Sequence, residues 1–176
     1  MPPDESGPEK MRMTVASLVL ALSSRERCER EQARSSLVAR GAAAVGSLVR
    51  VLLASPDRQT RWEAAKALGQ IGDPAGAPAL VIALDDRHFG VQWLAAEGLI
   101  SMGTAGLPPL LSALESHPES GILRDAAHHV LSSQADMGQF SSLEPLLQAL
   151  DAGEPNVTII VLAAQAREAL ESAAPR

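Results

Sequence analysis

Apolar residues recur along this chain in two alternating rhythms. One is a short run such as PALVIAL at 78–84, with leucines at i and i+4 and a proline where a helix would have its first turn, a place where the missing N–H costs nothing. The other is RWEAAKALGQI at 61–71, whose apolar positions Ala64, Ala67, Leu68 and Ile71 fall at i, i+3, i+4 and i+7 on one stripe and stop at Gly72, a residue suited to a left-handed helix cap. Each pair of rhythms predicts two helices joined by a short turn. Asp57, Asp86 and Glu119 stand just ahead of the second helices, where a carboxylate is expected to cap free N–H groups.

The pair repeats. RWEAAKALGQIGDPAGAPALVIALDD at 61–86 aligns with QWLAAEGLISMGTAGLPPLLSALE at 92–115: Ala64 matches Ala95, Leu68 matches Leu99 and Gly72 matches Gly103, each at a spacing of 31. Carried backwards, the template takes in Arg30, Ala33, Leu37 and Gly41. Carried forwards, it takes in Arg124, Ala127 and Leu131, then Pro145, Leu146 and Leu150 after an apparent insertion at 134–140, and a last copy ends at Ala166 and Leu170. Ten helical segments in five pairs follow, with second helices expected near 26–39, 58–71, 89–102, 120–134 and 156–172. One pair cannot bury its own apolar stripe, so neighbours must stack into an all-α solenoid.

Composition supports this reading. The 176 residues are 46 % apolar but only 2 % aromatic, with no tyrosine, so the core is built from Ala, Leu, Val and Ile. Residues 10–176 read as a single domain, and the Pro-, Gly- and acid-rich residues 1–9 as a disordered lead-in. The apolar run Val15 to Leu22 follows Lys10 and Arg12 like a signal peptide, yet SLVLALSS at 17–24 returns as ALVIALDD at 79–86 and is a repeat element. No run approaches the ~20 apolar residues of a membrane span.

The motif R-x-x-A-A-x-A-L-G-x-I-G-D-P-x-A-x-P-x-L at Arg61 to Leu80 resembles the short HEAT-like repeats of bacterial proteins, the kind first recognised in phycobilisome lyases. The resemblance covers nearly the whole chain after Met11, and it is weaker in the first, fourth and fifth units. It implies a right-handed superhelix of about five pairs whose second helices line a concave face. It also implies a structural role for the recurrent arginine (Arg30, Arg61 and Arg124, with Gln92 in its place once), bridging to acidic residues at neighbouring turns. A non-catalytic adaptor, scaffold or regulatory subunit of the cytoplasm, binding a protein or peptide in the concavity, is the expected function. Bilin-attachment accessory activity and a DNA glycosylase-type protein are the alternatives within the resemblance.

With the buried stripe set aside, helical geometry turns Gln59, Trp62, Glu63, Lys66 and Gln70 outward, and Gly90, Trp93, Leu94, Glu97 and Ser101 in the next unit. The two tryptophans share one repeat position on adjacent helices and are expected to neighbour each other. Large aromatics are favoured anchors for protein partners, while a Trp lying flat over the next helix is the packing alternative. Asp125 and His129 extend the row on one side, Glu31 and Ser35 on the other. The net charge of −6 is uneven: residues 25–66 hold nine basic against five acidic residues, and 67–176 hold four against thirteen. Such a chain lacks the broad positive face that a phosphate backbone needs, so nucleic acid is disfavoured.

No catalytic set, metal or cofactor is expected. His128 and His129 are adjacent and diverge by about 100° on a helix, so they do not share a metal easily. No H-E-x-x-H, G-x-S-x-G or G-x-x-x-x-G-K-[ST] motif occurs. Cys28 is the only cysteine, which excludes an internal disulfide and fits a reducing compartment. Apolar residues on more than one side of the first and last helices leave room for a homodimer through the solenoid ends.

Overall fold

The computed structural model describes residues 13–136 and 142–173; the expected lead-in over 1–9, and residues 137–140 of the expected insertion, lie outside the described chain. The described residues form ten α-helices and no strand. They are α1 (Val15–Ala21), α2 (Arg27–Val38), α3 (Ala42–Ala54), α4 (Arg58–Ile71), α5 (Ala77–Ala83), α6 (Phe89–Ser101), α7 (Leu107–Ser116), α8 (Gly121–Asp136), α9 (Glu144–Asp151) and α10 (Asn156–Ala173). The all-α solenoid expected from the repeat is what forms.

Local chemistry sets the boundaries. The Asp57 carboxylate accepts the Thr60 N–H at 2.7 Å and starts α4, as expected. Gly72 stops it in the left-handed conformation, φ 68°, its own N–H returning to the Leu68 carbonyl. A 3-10 turn at Pro74–Gly76 then feeds α5, which carries Pro78 in its first turn. The other two expected caps differ. Glu119 is displaced by Ser120, whose hydroxyl takes the Leu123 N–H at 3.2 Å. Asp86 accepts the His88 N–H ahead of α6 but spends its carboxylate mainly on an arginine described below.

Two layers result. First helices α1, α3, α5 and α7 pack in series, second helices α2, α4, α6 and α8 do the same, and each first helix lies against its own second helix. Between the layers runs one leucine-alanine spine, including Leu22, Leu37, Leu48, Leu68, Leu80, Leu99, Leu110 and Leu131, all essentially without solvent contact. Each such leucine contributes roughly 1.5–3 kcal/mol of burial, so stacking is what holds any single pair in place.

The last pair departs from the expected order. The helix near 156–172 was expected on the second-helix face, but α10 packs against α7, while α9 packs against α8. Arg167 Nε lies 2.7 Å from Glu115 Oε1 of α7, and His128 Nε2 lies 2.9 Å from Asp151 Oδ1 of α9. Thus α9 extends the second-helix layer and α10 closes the first. Gly41, Gly72 and Gly103, all at positive φ, stop α2, α4 and α6, but the equivalent position of α8 is Ala135 and the helix runs on to Asp136, so the local turn that precedes the other first helices is missing there. Meanwhile α10 has a four-residue stripe, Ile159, Ala163, Ala166 and Leu170, long enough to cover α7.

Second helices approach closely where small residues meet. A Cβ built on Gly69 of α4 would lie 2.8 Å from Gly98 Cα of α6, a backbone atom that cannot move aside. Alanine gains about 1 kcal/mol of helix propensity over glycine, but overpacking costs about 1–3 kcal/mol. Gly69→Ala is therefore expected to lower the melting temperature. Gly46→Ala, at an exposed position of α3 with nothing within 4 Å of the added carbon, is expected to raise stability by roughly 0.5–1 kcal/mol. Thermal melts of the two variants would show shifts of opposite sign.

Candidate protein-binding face

Helical register decides which side chains of a second helix reach solvent. With about 100° per residue, Trp62, Lys66 and Gln70 lie on one outward arc of α4. Glu63 lies about 100° further round, on the flank toward α2. It is not part of the open face. Expected to point outward, Glu63 is only 2 % exposed. Its carboxylate is held by Arg34, by Arg30 Nε at 3.5 Å and by the Gln59 amide at 3.3 Å. A partner cannot reach it; Glu63 ties α4 to α2. The corresponding flank positions Leu94 of α6 and Ala126 of α8 are also partly buried.

The recurrent arginine is a clip between loops. Arg61 is 4 % exposed. Its Nη1 donates to the Ser55 and Pro56 carbonyls at 2.9 and 3.2 Å, and its Nε and Nη2 grip Asp86 of the next unit at 2.6 and 3.0 Å. Arg30 repeats the first half, donating to the Ser24 and Arg25 carbonyls. Arg124 repeats both, bonding the Pro118 carbonyl behind it and the Glu154 carbonyl and Asn156 side chain ahead. Gln92 reaches the Asp86 carbonyl from the same position. These side chains are spent on the fold. Burial works to raise the pKa of Asp86, but the Arg61 hydrogen bond, the His88 N–H and the Arg61 charge outweigh it, and the carboxyl sits below its ordinary range.

The two tryptophans share a repeat position and differ in environment. Trp62 packs partly into the core, its indole over Gly90 of α6, where an added Cβ would lie 3.5 Å from the ring, with Lys66 Nζ 4.8 Å from the ring centroid on α4. Trp93 is 48 % exposed. Its ring stacks on His129 of α8 at a centroid separation of 5.3 Å and meets Phe89 one turn earlier at 6.4 Å. The two indoles, expected to neighbour each other on the adjacent helices α4 and α6, thus each stack on other groups. His129 Nε2 is 3.4 Å from Glu97 Oε1, which positions the imidazole over the indole.

Shallow grooves separate the second helices. One of about 310 Å³ between α6 and α8 is lined by Phe89, Gln92, Trp93, Ile122, Asp125 and His129, among others. A second, of about 230 Å³ between α4 and α6, has Lys66, Gln70, Leu94 and Glu97 at its rim and Gly69 and Gly98 at its floor. Lys66, Gln70 and Glu97 therefore line the first of two successive grooves along the second helices and Trp93, Asp125 and His129 the other, with Trp62 and Gln59 half-buried on α4. Phe89 and Ile122, 74 % and 48 % exposed, join the site without having been anticipated. The i, i+4 relation of Phe89 to Trp93 was the available signal for the former.

Among the described residues no cluster of three or more His, Cys, Asp or Glu is placed to hold a metal ion. No described helix is long and apolar enough to cross a membrane. Stacked helix pairs, a shared spine and an open second-helix face define an α-solenoid. The family profile described as HEAT repeats matches residues 15–100 and again 45–132, and the chain belongs to that family. No curated protein matches the chain.

Cutting the clip exposes its worth. Arg61→Ala leaves the largely covered Asp86 carboxylate without its counter-charge and is expected to cost about 3 kcal/mol, seen as a lower melting temperature. In the wild type the Asp86 pKa is depressed on folding. Its contribution is complete above the unfolded value of about 3.9 and is lost as pH falls through the lower folded value. Asp86→Asn should therefore remove part of the stability at pH 7 and flatten the acid limb below about pH 4, as read by denaturant unfolding at neutral and acid pH.

Proposed function

We propose that this chain is a non-catalytic interaction module, an adaptor, scaffold or regulatory subunit that docks a segment of a protein partner along the second-helix strip of α4, α6 and α8. HEAT repeats are generally protein-interaction modules, and the family is typically non-catalytic. The observation that carries the reading is the half-exposed cluster of Phe89, Trp93 and Ile122, gathered on one groove of a chain with only four Phe and Trp residues in all. Buried aromatic anchors of this type dominate protein interfaces, because they remove much area from water at small entropic cost. Gln59, Trp62, Lys66, Gln70, Glu97, Asp125 and His129 supply the polar rim and flanks. Glu63 supports them from behind by fixing α4 on α2.

The test is affinity capture from a lysate of the native cell, comparing wild type with the Trp62→Ala, Trp93→Ala double variant. A partner bound on this strip is expected to be lost from the variant at unchanged helical content. Retention of the same partner by a folded double variant would overturn the reading.

A further inference from the structure

We infer that the groove between α6 and α8 receives the guanidinium of an arginine from a basic segment of the protein partner. The inference rests on the proposed use of this strip as a protein-docking face and names what the docked segment carries. Three observations converge on it. The groove presents aromatic faces on its wall: Phe89 is largely exposed, and Trp93, covered on one side by His129, is open over about half its surface. Ring faces attract cations, and a planar guanidinium stacks on them while keeping its edge for hydrogen bonds. The Asp125 carboxylate stands exposed on the opposite wall; among the described residues no basic side chain is paired with it, and no lysine or arginine lines the groove. Finally, the stretch of sequence that builds the groove is acidic, with four basic against thirteen acidic residues over 67–176.

The competing influence is the positive end of the helix dipoles, since α6 and α8 both begin near the groove. That effect fades within the first turn. Trp93 and Asp125 each lie one residue past the first turn of their helices, at the fifth position from Phe89 and from Gly121. Carboxylate and ring faces therefore set the local preference, and it is for a cation. The clips at Arg61 and Arg124 are tied up in loops, so the chain's own neighbouring arginines do not fill the place.

The probe is fluorescein-labelled hexaarginine, read by fluorescence anisotropy against hexaglutamate, with wild type and the variants Trp93→Ala, Asp125→Asn and Glu154→Gln. Glu154 is an exposed acid of the α9–α10 loop and controls for general charge. Expected are binding of hexaarginine and not hexaglutamate, a loss of at least about threefold in affinity in both Trp93→Ala and Asp125→Asn, and a smaller change in Glu154→Gln. Unchanged binding in either groove variant, or equal losses in all three, would overturn the pocket. Circular dichroism melts verify that the variants fold, and Asp125→Asn removes charge at nearly constant shape. The two readings fail separately. If partner capture is lost in the double tryptophan variant yet Asp125→Asn captures like wild type, the docking face stands and the arginine pocket does not.

Discussion

A helix pair of about thirty residues cannot cover its own apolar stripe, and everything else in this molecule follows from its need for a neighbour. A central second helix such as α4 touches α2 on one flank, α6 on the other and α3 beneath. That leaves it a far narrower open arc than a helix packed on a single sheet or core would have. Small residues make the stacking close: Ala64, Ala65 and Ala67 are buried on three sides of α4, and Gly69 and Gly98 let two backbones nearly touch. What can face a partner is whatever remains, two or three positions per helix, repeated from helix to helix along a strip.

Stacking apolar stripes alone would permit sliding, because leucine on alanine has little directional preference. The arginine clip supplies direction. Arg61 holds the loop before its own helix by two carbonyls and the loop of the next unit by a carboxylate, so the relative height of adjacent units is fixed by hydrogen bonds of defined geometry. Glu63 performs a related task backwards, toward Arg30 and Arg34. Both are ion pairs taken almost out of water, which makes them strong determinants of register even where their net contribution to stability is modest.

The periodicity of the letters was enough to count ten helices and to place the five that it bounded to within about two residues, because a stripe of Ala and Leu at helical spacing has no competing interpretation in a chain without tyrosine or alternating β-branched residues. Layer order at the end of the chain was not legible, since it depends on which of α9 and α10 covers α7, a tertiary choice with no local turn to announce it. Glu63 was misread for a related reason. A hydrophobicity pattern sees one buried stripe, whereas a stacked helix is also buried on its flanks, and a charged residue can occupy a flank if the adjacent helix brings arginines to meet it. Trp93 was legible as a candidate, but its exposure was not.

That exposure has a cause two residues upstream of the repeat's arginine position. In the unit after Trp62 the position is Gly90, and the absence of a side chain there leaves a seat on which the indole lies flat. In the unit after Trp93 the same position is Ile122, a side chain 48 % exposed that lines the groove together with Trp93. Trp93 thus has no bare glycine backbone to lie on, as Trp62 has, and its ring stacks on His129. One substitution within an otherwise regular repeat thus turns a packing residue into an open aromatic wall, and places it opposite the Asp125 carboxylate. Regular units build the scaffold; the irregular one, because it leaves apolar surface that the stack does not cover, is where a second molecule has something to gain by binding.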